Sequence, residues 1–501
     1  MSCFYTPLLH SGNAWLLEAI LRAASVVRMS DTRRPNILLI TTDQQRGDCL
    51  GINGNRVIET PNLDHMASRG VNFTRGYSTC PVCIPARRTL LSGQSPDSHG
   101  LRQYQDGLDF NPPATLPGCL RDAGYQTQLI GKLHLHPQGR RYGFDNMILS
   151  ETSNWRPRAP TQKRNEYVDW LRAHGMNRHP HDHGIDGNGR LVAPWGYDDC
   201  LHHNNWLAEE AVGFLTERRD PSCPFFLHLS FFHPHPPFVP LEHYLQRYLA
   251  KDIPPAVIAE WAKRESRGVT SPHSPTGPFD PEIIRRATAA YYALINHIDD
   301  CIAHVIEQWT GYGSPDANAP YYLLFSSDHG EMLGDHHLFR KSLGYEASAR
   351  VPFFITGANV PLKPAGLDEL VCWEDVAPTL LDLAGVAVPE SMDGVSLAPL
   401  LRGEPLVESR DHIFGQCGGW LHNLWIVTKK WKYLWFPKTN EEQLFDLEND
   451  PDECRDLSGE SAELENLRRL MAGHVADRKD LDYDPSKLKP CANCPPAAFW
   501  P

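Results

Sequence analysis

Asp43-Gln44 and Asp328-His329 lie far apart in the chain, yet each joins a carboxylate to a neutral oxygen or nitrogen donor. Four such groups can surround one divalent cation. Hard ions such as Ca²⁺ prefer oxygen, and an imidazole tilts the set toward Mn²⁺ or another transition ion. Either dyad alone reads equally well as a capping carboxylate. Lys132 and Lys341 offer compact point charges that suit the oxygens of a tetrahedral anion, although an isolated lysine is ordinarily a solvated surface charge. His235, within His233-Pro234-His235-Pro236-Pro237, is held by prolines in a rigid loop. It can pass a proton to a departing alkoxide or hold an ester oxygen; a satisfied core histidine is the ordinary alternative. His134 follows Lys132 by two positions. Cys83 opens Cys83-Ile84-Pro85-Ala86-Arg87. There it is either a buried thiol, the usual fate of a free cysteine, or the reactive centre that the other groups serve.

These residues need a scaffold that brings them to one place. Five near-continuous apolar runs, at 36–42, 125–130, 224–231, 321–326 and 351–356, read as buried parallel strands. Helical patterns at 60–69, 115–123 and 205–218 lie between them. The alternation predicts an α/β fold with a large mixed, mostly parallel sheet sandwiched by helices. In such sheets ligands gather at the carboxyl ends of the strands. Asp43-Gln44 ends the first run, Lys132 and His134 follow the second, His233 and His235 the third, and Asp328-His329 the fourth, which predicts one pocket.

Past residue 405 the character changes. Runs at 420–427, 430–436 and 443–446 read as short antiparallel strands, 446–451 as a turn and 461–478 as a helix: a smaller C-terminal α+β subdomain. The expected organisation is an N-terminal extension at 1–28, a catalytic domain at 29–405 and the subdomain at 406–501. Stretches 154–195 and 265–280 read as irregular excursions, and loops that long are usually functional or disordered. No internal repeat is present.

Cys83-x-Pro85-x-Arg87, continued by Arg88-Thr89-Leu90-Leu91-Ser92-Gly93, resembles the maturation signature of the type I, formylglycine-dependent sulfatases of the alkaline phosphatase-like superfamily. Pro35-Asn36-Ile37-Leu38-Leu39-Ile40 with Asp43 resembles the first metal signature of that family. Asp328-His329-Gly330-Glu331-Met332-Leu333-Gly334-Asp335-His336 resembles the second. Gly131-Lys132-Leu133-His134 is similar to a Gly-Lys-x-His element, His235 sits in one similar to Pro-His-x-Pro, and Lys341 precedes Tyr345-Glu346 and Arg350-Val351-Pro352 as in the family. The resemblance covers 35–352 and, more weakly, 444–457.

It implies that a formylglycine-generating enzyme converts Cys83 to formylglycine (3-oxoalanine), whose hydrate attacks sulfate esters. It further implies a divalent metal on Asp43, Gln44, Cys83, Asp328 and His329, with Ca²⁺ expected and Mn²⁺ or Mg²⁺ as alternatives. The implied catalytic set is Cys83 as nucleophile, Arg87 orienting it, Lys132 and Lys341 stabilising charge on the sulfate oxygens, His134 assisting sulfate release and His235 protonating the alcohol. Lys132, His235 and Lys341 bind the substrate. Gln44 and His329 depart from the Asp-Asp and Asp-Asn pairs of many sulfatases, and are also seen in the related phosphonate monoester hydrolases.

The expected function is therefore a metal-dependent sulfuric ester hydrolase acting on a small sulfate ester or a sulfated carbohydrate. Hydrolysis of phosphonate or phosphate esters by the same nucleophile is the alternative, and a catalytically silent binding protein is a third reading. A net charge of −13 leaves no basic footprint for nucleic acid. No stretch approaches the roughly 18 apolar residues that span a bilayer. Thirteen cysteines, odd in number and irregular in spacing, do not form a disulfide framework. The apolar stretch 14–27 is interrupted by Glu18 and Arg22 and lacks the frame of a signal peptide, so Met29 reads as the true start and the cytoplasm as the compartment. A short amphipathic helix competes for the first segment, and a periplasmic or secreted protein for the location. Cys80-x-x-Cys83 and Cys491-x-x-Cys494 have the spacing of zinc half-sites, but they are remote in sequence and compete for Cys83. His179, His181 and His183 can line a substrate entrance; a solvated loop is the ordinary reading.

Overall fold

The computed structural model describes residues 34–481 apart from 152–164, 177–183, 263–273, 312–313, 315, 318, 358–359, 361–362, 407, 420 and 479–480. Expectations for residues 1–28 and Met29, the three histidines at 179–183, Cys491-x-x-Cys494 and much of both excursions lie outside the described residues.

Chain order gives thirteen strands among the described residues. They are β1 (Asn36–Asp43), β2 (Val71–Tyr77), β3 (Gln126–Gly131), β4 (Asn146–Leu149), β5 (Phe225–Pro234), β6 (Tyr321–Ser327), β7 (Arg350–Val351), β8 (Phe353–Gly357), β9 (Lys363–Cys372), β10 (Ile413–Cys417), β11 (Asn423–Val427), β12 (Trp431–Phe436) and β13 (Glu441–Asp446). The α-helices are α1 (Pro61–Ser68), α2 (Cys83–Ser92), α3 (Leu116–Asp122), α4 (Glu166–Ala173), α5 (His203–Gly213), α6 (Glu242–Leu249), α7 (Pro281–Thr310), α8 (Glu346–Ala349), α9 (Val376–Leu383), α10 (Ala398–Leu401) and α11 (Glu463–Val475).

The large sheet runs β4-β3-β5-β1-β6-β8-β2-β7, with β9 paired to β2. Its centre is parallel: β1 pairs β5 and β6, and β3 pairs β4 and β5. Both faces are covered, which is why these strands are predominantly apolar rather than strictly alternating. Along β1, Leu38 and Ile40 enter one core with helices α5 and α7, while Ile37 and Leu39 enter the other with α2, α3 and α9. The expected α/β architecture is therefore the one present.

The run at 351–356 was expected to be parallel and is not. Pro352 divides it into β7 and β8, and β8 is antiparallel to both β6 and β2. Burial on both faces explains its apolar composition but carries no information on direction. Strands β2, β4, β9 and β10 and helices α2 and α7 had no sequence expectation. Helix α7 spans 30 residues, with Asp280 accepting from the Glu282 amide at its N-cap and Pro281 at the first position.

The second sheet, β10-β11-β12-β13, is fully antiparallel. Its strands alternate cleanly. Trp425, Leu434 and Phe445 face Tyr77, Leu343 and Tyr345, whereas Leu424, Ile426, Tyr433 and Leu444 face α11. The C-terminal strands thus back the segment that carries Lys341. No helix among the described residues is long and apolar enough to cross a membrane.

Candidate active site

Four neighbouring strands, in the order β3-β5-β1-β6, end beside one another and deliver the polar residues that follow them. Asp43 is the last residue of β1 and fully buried. Gln44 turns the chain with φ 71°, a left-handed conformation that costs a non-glycine residue energy and recurs at functional sites. Lys132 follows β3. Its amide donates to the Ser230 carbonyl of β5 at 3.0 Å, extending the ladder one residue past the strand. Gly131 has φ 110°, and a Cβ there would lie 2.0 Å from that carbonyl oxygen, so the close approach requires glycine. Cys83 comes from outside this group of four, on the first residue of α2, a helix whose ten residues are all buried.

The side chains converge on Cys83. Its Sγ lies 3.2 Å from His329 Nε2, 3.1 Å from Lys341 Nζ and 3.8 Å from Asp43 Oδ1. Asp43, Cys83, Asp328 and His329 are buried, and each offers a ligand atom within 4.8 Å of the others. Nδ1 of His329 donates to the Gly330 carbonyl at 3.0 Å, and Nε2 faces Asp328 Oδ1 (3.5 Å) and Asp43 Oδ1 (3.7 Å). Gln44 Oε1 faces the same place, 2.7 Å from Lys341 Nζ. Two carboxylates, an amide oxygen and an imidazole nitrogen make a donor set that fits a divalent cation.

Arg87 was expected to orient position 83. Its planar fork spans the two carboxylates, Nε to Asp328 Oδ2 and Nη2 to Asp43 Oδ2, each at 3.1 Å. Nη1 donates to the Lys132 carbonyl (2.8 Å) and to Ser230 Oγ (3.1 Å). Five rigidly arranged donors let one guanidinium set the spacing of both acids and tie three strand ends together. Lys132 Nζ is 2.5 Å from Asp43 Oδ2 and stands over the Phe232 ring.

These charges move protons. Burial pushes the Asp43 carboxyl up, but Lys132, Lys341 and Arg87 outweigh it and hold the group well below the usual range. Burial and Asp43 push the Cys83 thiol up, and Lys341, Lys132 and His329 overcome them, so the net shift is downward. Burial first, then Lys341 and Lys132, outweigh Asp43 and hold His235 well below its ordinary range, so it is neutral. Its Nδ1 is 2.6 Å from the Pro236 carbonyl, leaving Nε2 as the nitrogen that exchanges protons. His134 is placed by its amide on Glu151 Oε1 at 2.7 Å and by its ring against Tyr104.

The zinc half-site reading separates here. Cys83 faces Asp43 and His329, whereas Cys80 packs with Val82 and Cys417. Sequence reasoning overlooked Ser230, Glu151, Tyr104 and Glu331. The first three have no motif and reach the site only through pairing of distant segments. Glu331 lay inside the second acidic signature, two residues after His329, and an acid at that spacing was the available signal.

Residues 35–386 match the Sulfatase family model. The chain belongs to the sulfatase family. Residues 334–480 also match the model for the N-sulphoglucosamine sulphohydrolase C-terminal region. This sulfatase is 41% identical over 473 residues to an arylsulfatase of Clostridium perfringens, covering 91% of this chain and 97% of the relative. It is 30% identical over 468 residues to a choline-sulfatase of Rhizobium meliloti, covering 88% and 87%. The phosphonate monoester hydrolase of Agrobacterium radiobacter shares the fold, with a TM-score of 0.72 at 24% identity over 89% of this chain and 95% of the other. The protein is accordingly a sulfuric ester hydrolase, and its family implies a metal ion and a formylglycine.

Proposed function

We propose that this sulfatase hydrolyses sulfate esters of carbohydrates at a formylglycine derived from Cys83, with Ca²⁺ held by Asp43, Gln44, Asp328, His329 and the modified residue. The observation that carries the reading is the convergence of Lys341, His329 and Asp43 on the Cys83 sulfur at the buried start of α2. Sugar sulfates are favoured by one structural neighbour, a protein described in complex with its substrate D-glucosamine-2-N,6-O-disulfate.

The cation, when bound, lowers the pKa of a hydroxyl at position 83 and draws charge from the sulfate oxygens. The hydrated aldehyde supplies that hydroxyl and a second one whose deprotonation lets sulfate leave. Lys341 and Lys132 flank the position and balance the negative charge that builds on the non-bridging oxygens. Arg87 keeps Asp43 and Asp328 at a fixed separation. His235 is neutral beside two ammonium groups; an anionic ester between them offsets those charges and raises its proton affinity, so Nε2 takes up a proton from solvent as the ester binds and gives it to the departing alcohol. His134 takes up the proton at sulfate release.

The test is a panel of sulfated mono- and oligosaccharides, with matched aryl sulfate and aryl phosphonate esters, assayed on protein co-expressed with a formylglycine-generating enzyme. Mass spectrometry of the peptide containing position 83 is run on the same preparation. Sulfate release from at least one sugar, formylglycine at position 83 and no turnover by C83A are expected. An intact thiol in active protein sinks the nucleophile assignment. A large preference for the phosphonate, to which Gln44 and His329 give some support, moves the substrate class to the alternative.

A further inference from the structure

Glu331 is fully buried, and both of its oxygens are used. Oε2 accepts from Gln44 Nε2 in a short hydrogen bond, and Oε1 accepts from the Leu333 amide at 3.0 Å and from the Arg340 amide. The first contact settles which way the Gln44 amide faces. With Nε2 spent on Glu331, Oε1 must face the other way, where it meets Lys341 Nζ at 2.7 Å, and that ammonium is 3.1 Å from Cys83 Sγ. The second pair of contacts pins both ends of the loop leading to Lys341. Leu333, His336, His337, Arg340 and Ser342 all adopt positive φ there, a run of left-handed non-glycine residues that needs anchoring.

We propose that Glu331 is a positioning residue: its carboxylate holds the Gln44 amide oxygen toward the cation site and fixes the loop that carries Lys341. The inference rests on the reading of that site as a metal centre. It explains how a glutamine can serve as an oxygen ligand. An aspartate presents oxygen in either rotamer, whereas a glutamine presents oxygen or nitrogen according to its partner. Only a carboxylate can accept from Gln44 at one oxygen and from two backbone amides at the other. A carboxamide at 331 must turn its NH₂ toward one of those donors and lose that contact.

The experiment is calorimetric titration of Ca²⁺ and Mn²⁺ into metal-stripped full-length protein, for the wild type, E331Q, Q44D and Q44D/E331Q, with far-UV circular dichroism to establish folding. Loss of an orienting partner behind a ligand costs roughly 10–100-fold in metal affinity, and that loss is expected for E331Q. In the Q44D background, where no amide needs orienting, E331Q should weaken binding by less than about a third of that factor. Activity of E331Q should recover in part at saturating metal, the remaining deficit reporting the loosened Lys341 loop. Wild-type affinity in E331Q overturns the proposal. So does an equal loss in both backgrounds, which marks a purely structural role through the loop. A wild-type chain that binds neither cation overturns the metal reading and this inference together. Should E331Q fail to fold, E331D, which withdraws the carboxylate by one methylene, goes through the same cycle with the same deciding outcomes.

Discussion

Lys341 illustrates what a single side chain does at this site. The residue is 3% exposed and its ammonium bridges Gln44 Oε1 and the Cys83 sulfur, so it touches both the proposed ligand set and the proposed nucleophile. K341M keeps the length and the apolar stem but removes the charge aimed at the sulfate oxygens. Since that charge acts mainly on the transition state, kcat should fall roughly 10²–10³-fold, the cost of deleting one preorganised electrostatic contact, with a smaller change in KM. Steady-state kinetics on an aryl sulfate checks this; a rise in KM at constant kcat would mean that Lys341 only binds the ground state. Residue identities at the site were legible because each carries its own chemistry and sits in a short motif. What each one touches was not. Arg87 stands one helical turn from Cys83, which suggests that it serves its neighbour in sequence, yet its fork reaches Asp43 and Asp328 instead. Two buried carboxylates attract a guanidinium more strongly than a thiol does.

Strand ends, more than loops, place the catalytic groups, and the β3–β5 junction is the most demanding of them. Gly131 sits at φ 110° with no room for a Cβ against the Ser230 carbonyl, and the next residue is Lys132. G131A should therefore cost more than about 1 kcal/mol in urea unfolding, because alanine is strained at that φ and also clashes. Activity should fall further than stability predicts, since separating β3 from β5 moves Lys132 away from Asp43. A variant of native stability and full activity would show that the junction yields without moving the lysine. The same scale sets the limits of the sequence reading. β1, β3, β5 and β6 were legible because strands buried on both faces carry runs of apolar residues rather than an alternating pattern. β2, Val-Asn-Phe-Thr-Arg-Gly-Tyr, mixes polar with apolar residues because Thr74 and Arg75 are partly exposed, and so it carried no clear period. α2 was invisible for the opposite reason: a helix buried all round, with arginines satisfied internally, has no amphipathic stripe.

At the scale of the whole molecule, the interior holds ionisable groups that oppose one another as pH falls. His228 is buried in β5 with Nε2 2.9 Å from Thr41 Oγ1, and burial, with Arg87, lowers its pKa from 6.5 to about 3. Burial likewise lowers His202 to about 4 and His203 to about 3. Each stays neutral in the folded chain, while the unfolded chain takes a proton below pH 6.5. The stability each contributes is thus complete above pH 6.5 and is lost as pH falls toward the folded value. Asp299 and Glu374 act in the opposite sense: burial raises both to about 7, so the folded chain takes their protons first and gains stability on acidification. The slope of the wild type is the difference between the two sets, and one group is isolated only by comparison. H228Q places an amide where Nε2 bonded Thr41 and removes the titration. Between pH 7.5 and 5.0 the wild type should lose ~2 kcal/mol relative to H228Q, from 1.5 pH units below 6.5 at about 1.4 kcal/mol per unit. Urea unfolding of both proteins at the two pH values measures it. A gap that stays constant would mean that His228 binds its proton equally in both states, and that the centre of the sheet beside the active site is not as dry as its packing requires.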